Sequence, residues 1–236
     1  MTLDRVQCNE PYFVLLGDSW AVGEWRLDKN AHAYHSGLGL GSFLSQEGIC
    51  LDLSQGGGNN LKSLQRLENF LSYTNLPEST RYIWIVSNPM FDCLTAEEFY
   101  DKQDNLTSRT EKLLDNVFRK ANKIARKYKI KLNLVGGAVD IEQSINYSNL
   151  QVIVPSWCQM MFSDFPVSLF SPHINYWKDL SPIISTQHKE EWLDITDLMD
   201  AKLHFFKKHF INDNCHPLSE HHLILKNKII KLLNEQ

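Results

Sequence analysis

Ser19, Asp213 and His216 are the residues of this chain whose types and spacing suit acyl chemistry. Cleaving an ester near neutral pH takes a nucleophile, a base to receive its proton, a group to hold that base, and donors for the developing oxyanion. Ser19 is the candidate nucleophile, because Gly17-Asp18-Ser19 follows directly on the apolar run Tyr12-Phe13-Val14-Leu15-Leu16. His216 is the candidate base, since imidazole titrates near physiological pH. Asp213, three residues earlier, can turn back to the ring Nδ1–H and fix the tautomer that leaves Nε2 facing Ser19. Two donor candidates stand between these ends of the chain. Gly57 has no side chain to keep its N–H from a substrate, and Asn88 carries an amide just after another apolar run.

Neither short motif is informative alone. Ordinary residue usage produces Gly-Asp-Ser in about one chain in fifteen of this length, and Asp-x-x-His in about one in three. Gly-Asp-Ser is also common turn composition. Their weight comes from the elements that must position them. Tyr12–Leu16 reads as a strand buried on both faces, and ligands of parallel α/β proteins bind at the carboxyl ends of such strands.

Further apolar runs follow at Ile49-Cys50-Leu51-Asp52-Leu53, Tyr82-Ile83-Trp84-Ile85-Val86, Leu132-Asn133-Leu134-Val135-Gly136-Gly137 and Leu150-Gln151-Val152-Ile153-Val154-Pro155. Between them, Leu61, Leu64, Leu67, Phe70 and Leu71 recur at helical spacing, with Asn59 or Asn60 as N-cap. A pattern that turns helical from Thr95 runs through Leu113, Leu114, Val117, Phe118, Ala121, Ile124 and Ala125, and its opposite face is basic and solvated. Residues between Trp20 and Gly41 read as a short helix or loop, with a helical stretch near Leu40–Gln46. A helical stretch at Ile195–Phe210 precedes a final helix carrying Leu223, Ile224, Leu225, Ile229, Ile230 and Leu232, with Pro217 in its first turn. Alternating strands and amphipathic helices predict one α/β domain over residues 1–236, a three-layer α/β/α fold with a mostly parallel five-stranded sheet. An aromatic-rich irregular segment at about 156–187 departs from this alternation. Its rings either anchor a long loop or offer stacking surface to a sugar or acyl group.

Composition narrows the partners. The chain has 236 residues, 43% hydrophobic and 22% charged, which fits one globular domain and excludes disordered and fibrous classes. A net charge of -4 and the lack of a long basic run argue against nucleic acid. The five cysteines are scattered without C-x-x-C spacing, against a disulfide framework or a zinc cluster. There is no apolar leader and no uncharged run long enough for a bilayer, so a soluble, cytoplasmic or otherwise signal-free chain is expected, with no membrane partner.

With these residues in place, the sequence resembles the SGNH (GDSL-type) hydrolase family through four blocks in that family's order, from Gly17 to His216. Gly17-Asp18-Ser19 matches the first, implying Ser19 as nucleophile and, through its backbone N–H, as one oxyanion donor. Ser54-Gln55-Gly56-Gly57-Gly58-Asn59 matches the second and implies Gly57 as another donor, with its neighbouring glycines left open. Asp213-Asn214-Cys215-His216-Pro217 matches the fifth. The third block departs: the family's G-x-N-D is here Val86-Ser87-Asn88-Pro89, keeping only the asparagine as third donor. The resemblance implies a flavodoxin-like sheet, no cofactor and no metal. It implies a serine esterase, with the substrate open across lipids, acetylated sugars and thioesters; only the aromatic segment suggests small acyl esters, acetyl foremost, on a carbohydrate.

Other readings stay open at this level. The same fold can serve as a carbohydrate-binding or structural module with little catalysis, or as a sugar O-acyltransferase. A metal site built on Asp213, His216, His221 and His222 is disfavoured, because adjacent histidines on a helix point about 100° apart and no H-x-x-x-H spacing appears. Cys215 as nucleophile shares a connection with His216 and is poorly placed to face it.

Overall fold

The structure, a computed structural model, describes residues 11–23, 25–27, 33–35, 37–87, 106–137, 141, 145–161 and 216–236. The five apolar runs form five strands: β1 (Tyr12–Leu16), β4 (Ile49–Asp52), β5 (Arg81–Val86), β6 (Leu132–Gly136) and β7 (Leu150–Val154). They make one sheet in the order β4-β1-β5-β6-β7, and every pairing is parallel. Counted along the chain, that order is 2-1-3-4-5, the flavodoxin-like arrangement, which reverses direction between β1 and β5. A crevice opens at such a reversal, above the strands' carboxyl ends.

The side-chain period of two divides each strand between two cores. Val14, Leu16, Tyr82, Trp84, Val86, Leu132 and Leu134 face one layer of helices. Phe13, Leu15, Ile83, Ile85, Val135 and Val154 face the other. The first layer is α3 (Asn60–Tyr73) and α4 (Leu106–Tyr128), packed through Leu64, Leu67, Leu71, Leu114, Val117, Phe118 and Ala121. The second comprises α1 (Ser19–Val22), α2 (Leu40–Leu44), α5 (Trp157–Met161) and α6 (Ser219–Asn234), which contribute Ala21, Leu40, Leu44, Trp157, Leu225, Ile229 and Leu233. This is the three-layer α/β/α fold, with Trp84 and Trp157 among the largest side chains wholly inside it.

Several details differ from the sequence expectation or extend it. Trp25–Leu27 (β2) and Ala33–His35 (β3) pair antiparallel in a separate two-stranded sheet where a helix or loop was expected. Three-residue strands are too short to display an alternating pattern. Pro217 does not enter the first turn of the last helix, because α6 starts at Ser219 with Leu218 as its N-cap. Asn59, of the two candidates, caps α3: its side chain accepts the Lys62 N–H at 2.9 Å. The expected helical onset at Thr95, the stretch Ile195–Phe210 and the aromatic segment beyond Met161 lie outside the described residues. No helix among the described residues is long and apolar enough to cross a membrane.

Candidate active site

The first half of the site is set by how abruptly β1 ends. A Cβ on Gly17 would lie 2.5 Å from the Ala21 Cβ and 3.2 Å from the Ile85 Cβ, so glycine lets α1 fold back onto the strand ends. Asp18 caps α1: its Oδ1 accepts the Trp20 N–H at 2.9 Å. Ser19 therefore occupies the first helical position, half-buried at the carboxyl edge of the sheet.

The second half comes from the far end of the chain. His216, also half-buried, is followed by the buried pair Pro217-Leu218 leading into α6. The Leu218 N–H donates to His221 Nδ1 at 3.1 Å, so a histidine one turn into the helix ties down the approach to His216. His222 lies edge-on to Trp157, ring centroids 4.9 Å apart, and Trp157 lies edge-on to Trp20 at 5.8 Å. This ladder of rings joins α6 to α1 beneath the two polar residues. Across it, His216 Nε2 and Ser19 Oγ are 2.8 Å apart, a hydrogen bond between residues 197 positions apart in sequence. With the ring proton on Nδ1, Nε2 accepts from the hydroxyl and can draw off its proton.

The third part is the loop after β4. Parallel pairing continues beyond the strand, as Leu53 N–H donates to Leu15 C=O at 2.8 Å and Gln55 N–H to Gly17 C=O at 3.2 Å. Gln55–Gly58 then forms a turn closed by Gly58 N–H to Gln55 C=O at 3.1 Å, with Gly57 at φ 66° in its third position. That is a type II turn, which demands positive φ there and hence glycine. The turn engages the Gly58 N–H. No hydrogen bond among the described residues engages the N–H of Gly57, which is exposed.

Two side chains that sequence reasoning did not single out for the site hold these parts together. Arg66, on α3, donates from Nε to Leu53 C=O (2.9 Å), from Nη1 to Gln55 Oε1 (2.8 Å), and from Nη2 to Ser63 Oγ (3.0 Å) and Gly17 C=O (3.3 Å). Partial burial lowers the pKa of its guanidinium. Asn60, wholly buried, grips Ser87 at both backbone atoms: Nδ2 donates to the carbonyl at 2.9 Å and Oδ1 accepts the N–H at 2.8 Å. Its amide continues the β5 ladder by one residue, up to the position before Asn88. On a helix both residues look like ordinary polar surface, and only the fold reveals their partners.

Next to Ser19 in sequence stands the buried carboxyl of Asp18. Burial pushes its carboxyl pKa up, opposed by the nearby Ser87 hydroxyl and by the Trp20 N–H. Cys50 is a poor nucleophile, its thiol pushed up to about 12 by burial and then by Asp52. Burial likewise raises Cys158. His221 and His222 are absorbed by the helix start and by Trp157. Among the described residues no group of three or more His, Cys, Asp or Glu is placed to hold a metal ion.

Of the five residues expected at the site, the structure brings Ser19 and His216 into contact and puts Gly57 in a tight turn beyond β4. Asp213 and Asn88 lie outside the described residues, as does Cys215. No family model and no curated protein matches the chain. Among solved structures it is similar to one described as a "putative platelet activating factor from Streptococcus pneumonia", at 11% identity and a TM-score of 0.41, over 97% of this chain and 86% of that one.

Proposed function

We propose that this chain is a serine esterase of the SGNH (GDSL-type) kind. The observation that carries the proposal is the 2.8 Å hydrogen bond between Ser19 Oγ and His216 Nε2 at the carboxyl edge of a parallel sheet. Ser19 Oγ attacks the ester carbonyl carbon while His216 Nε2 takes the hydroxyl proton. The tetrahedral intermediate collapses as the C–O bond to the alcohol breaks, and His216 returns the proton to the leaving oxygen. Water repeats the two steps on the acyl-enzyme, releasing the acid and restoring Ser19. Asp213 orients the His216 ring, and the oxyanion is held by the N–H groups of Ser19 and Gly57 and by the Asn88 amide. The turn that engages Gly58 favours Gly57 as the donor of its block. We assign short acyl esters, acetyl on a carbohydrate foremost, as the substrate class.

Hydrolysis of p-nitrophenyl acetate tests the reading. Wild-type protein is expected to turn it over, and Ser19→Ala to lose on the order of 10³-fold or more in kcat. The rate should fall toward acid pH as His216 gains a proton and can no longer accept one. Turnover that survives Ser19→Ala, or that stays level down to about pH 4, defeats the assignment. Product analysis with a sugar acceptor separates hydrolysis from acyl transfer.

A further inference from the structure

We propose that Arg66 is a positioning residue for the oxyanion side of the Ser19 site, holding the loop that carries Gly57 in register with the strand end that carries Ser19. The inference rests on the serine-esterase reading and adds to it a residue that touches neither substrate nor reacting atoms. Its basis is where the four hydrogen bonds go. One guanidinium reaches Gly17 C=O, two residues before Ser19, and also Leu53 C=O and Gln55 Oε1, at the start of the turn that holds Gly57. The fourth goes to Ser63 Oγ, one turn earlier on α3, which itself donates to Gly17 C=O at 3.3 Å. Gly17 C=O thus accepts from Gln55 N–H, Ser63 Oγ and Arg66 Nη2 together, so any slip between the β1 and β4 ends breaks several bonds at once.

The brace is anchored on a rigid element. Leu64, Leu67 and Leu71 hold α3 against the sheet on the adjoining helical face. A planar, forked cation is required, because a lysine ammonium cannot span carbonyls on two strands and a side-chain amide simultaneously. An arginine serving only solubility would keep its head in water; this one gives up part of its hydration to bond the adjacent segments that follow β1 and β4. Oxyanion donors act only when aimed where charge develops, and displacement of about 1 Å can cost on the order of 100-fold in rate.

The test uses the full chain, with kcat for p-nitrophenyl acetate divided by the number of sites labelled to completion by a fluorophosphonate. Arg66→Ala is expected to lower kcat per labelled site by about 10- to 100-fold, to shift KM by less than about threefold, and to slow labelling in step with kcat. The acid limb of the rate profile should stay where the wild type has it, since Arg66 does not touch His216. Millimolar guanidinium should restore part of the lost kcat in Arg66→Ala and do nothing for wild type or for Arg119→Ala, a surface control. If Arg66→Ala yields no folded protein, Arg66→Lys is measured the same way and should show the same loss per site. A per-site kcat within about threefold of wild type, with only the number of sites or the thermal midpoint reduced, overturns the proposal and leaves Arg66 a purely structural tie. Wild-type protein that neither labels nor turns over ester overturns the esterase reading itself, and this proposal with it.

Discussion

Asn60 is a case where one side chain stands in for a strand. Its amide satisfies both backbone groups of Ser87, and replacing it with leucine leaves a buried N–H and C=O unpaired. Asn60→Leu should therefore cost about 2 to 4 kcal/mol in urea unfolding, and ester turnover should fall as the end of β5 at Ser87 loosens. Asp18 makes a prediction of opposite character. Its folded pKa is raised by burial, so the folded state keeps its proton to higher pH than the unfolded chain does. Between those two titrations the unfolded chain binds fewer protons, and stability contributed by the protonated form is lost as pH rises through the folded value. Asp18→Asn keeps an acceptor for the Trp20 N–H and removes the titration. Its stability relative to wild type should climb with pH from about 4 upward, read from paired urea curves. A constant difference would show that the Asp18 burial has no energetic consequence. None of this is visible in sequence: Gly-Asp-Ser marks the proposed nucleophile, whereas the partners of Asp18, Asn60 and Arg66 come from three different segments.

At the scale of elements, α4 ends with an avoidable strain. Lys129 sits at φ 54° in the left-handed region, while Ile130 N–H bonds Ala125 C=O at 2.9 Å and Lys129 N–H bonds Arg126 C=O at 3.3 Å. This is the Schellman ending, whose left-handed position glycine fills without a Cβ penalty. Lys129→Gly should accordingly raise stability by about 0.5 to 1 kcal/mol without touching activity, a gain measurable as a higher urea midpoint. The five central strands were legible because each is a short run of aliphatic and aromatic residues bounded by Gly, Asn or Pro. The small β2–β3 sheet was not, since Arg26, Tyr34 and His35 give no periodic signal. The start of α6 also escaped a rule of thumb. Proline suits a first turn, yet here Pro217 precedes the cap, and the His221 ring does the terminal bonding in its place.

The whole molecule brings its two ends together. Apolar patterning alone predicted the parallel sheet; the strand order 2-1-3-4-5, with its reversal between β1 and β5, was implied only by the resemblance to a flavodoxin-like fold, and the coordinates have it. That reversal is why Ser19, the turn after β4 and the end of β5 share one edge. α6 closes the assembly from the layer that also holds α1, fixed to the turn after α2 by Lys226 Nζ to Glu47 Oε1 at 2.6 Å and packed through Leu225 and Ile229. Because Ser19 meets His216 only when α6 has docked, ester turnover regained during refolding from urea should follow the slowest folding phase. Recovery ahead of that phase would mean the pair forms without the completed layer.

The 197-position gap between hydroxyl and imidazole also sets a schedule on the ribosome. At about 5 to 20 residues per second, roughly 10 to 40 seconds separate the synthesis of Ser19 from that of His216. Throughout that interval the nascent chain carries an ordinary alcohol, inert toward the esters around it. In the proposed reading, reactivity switches on only when α6 has emerged and folded home.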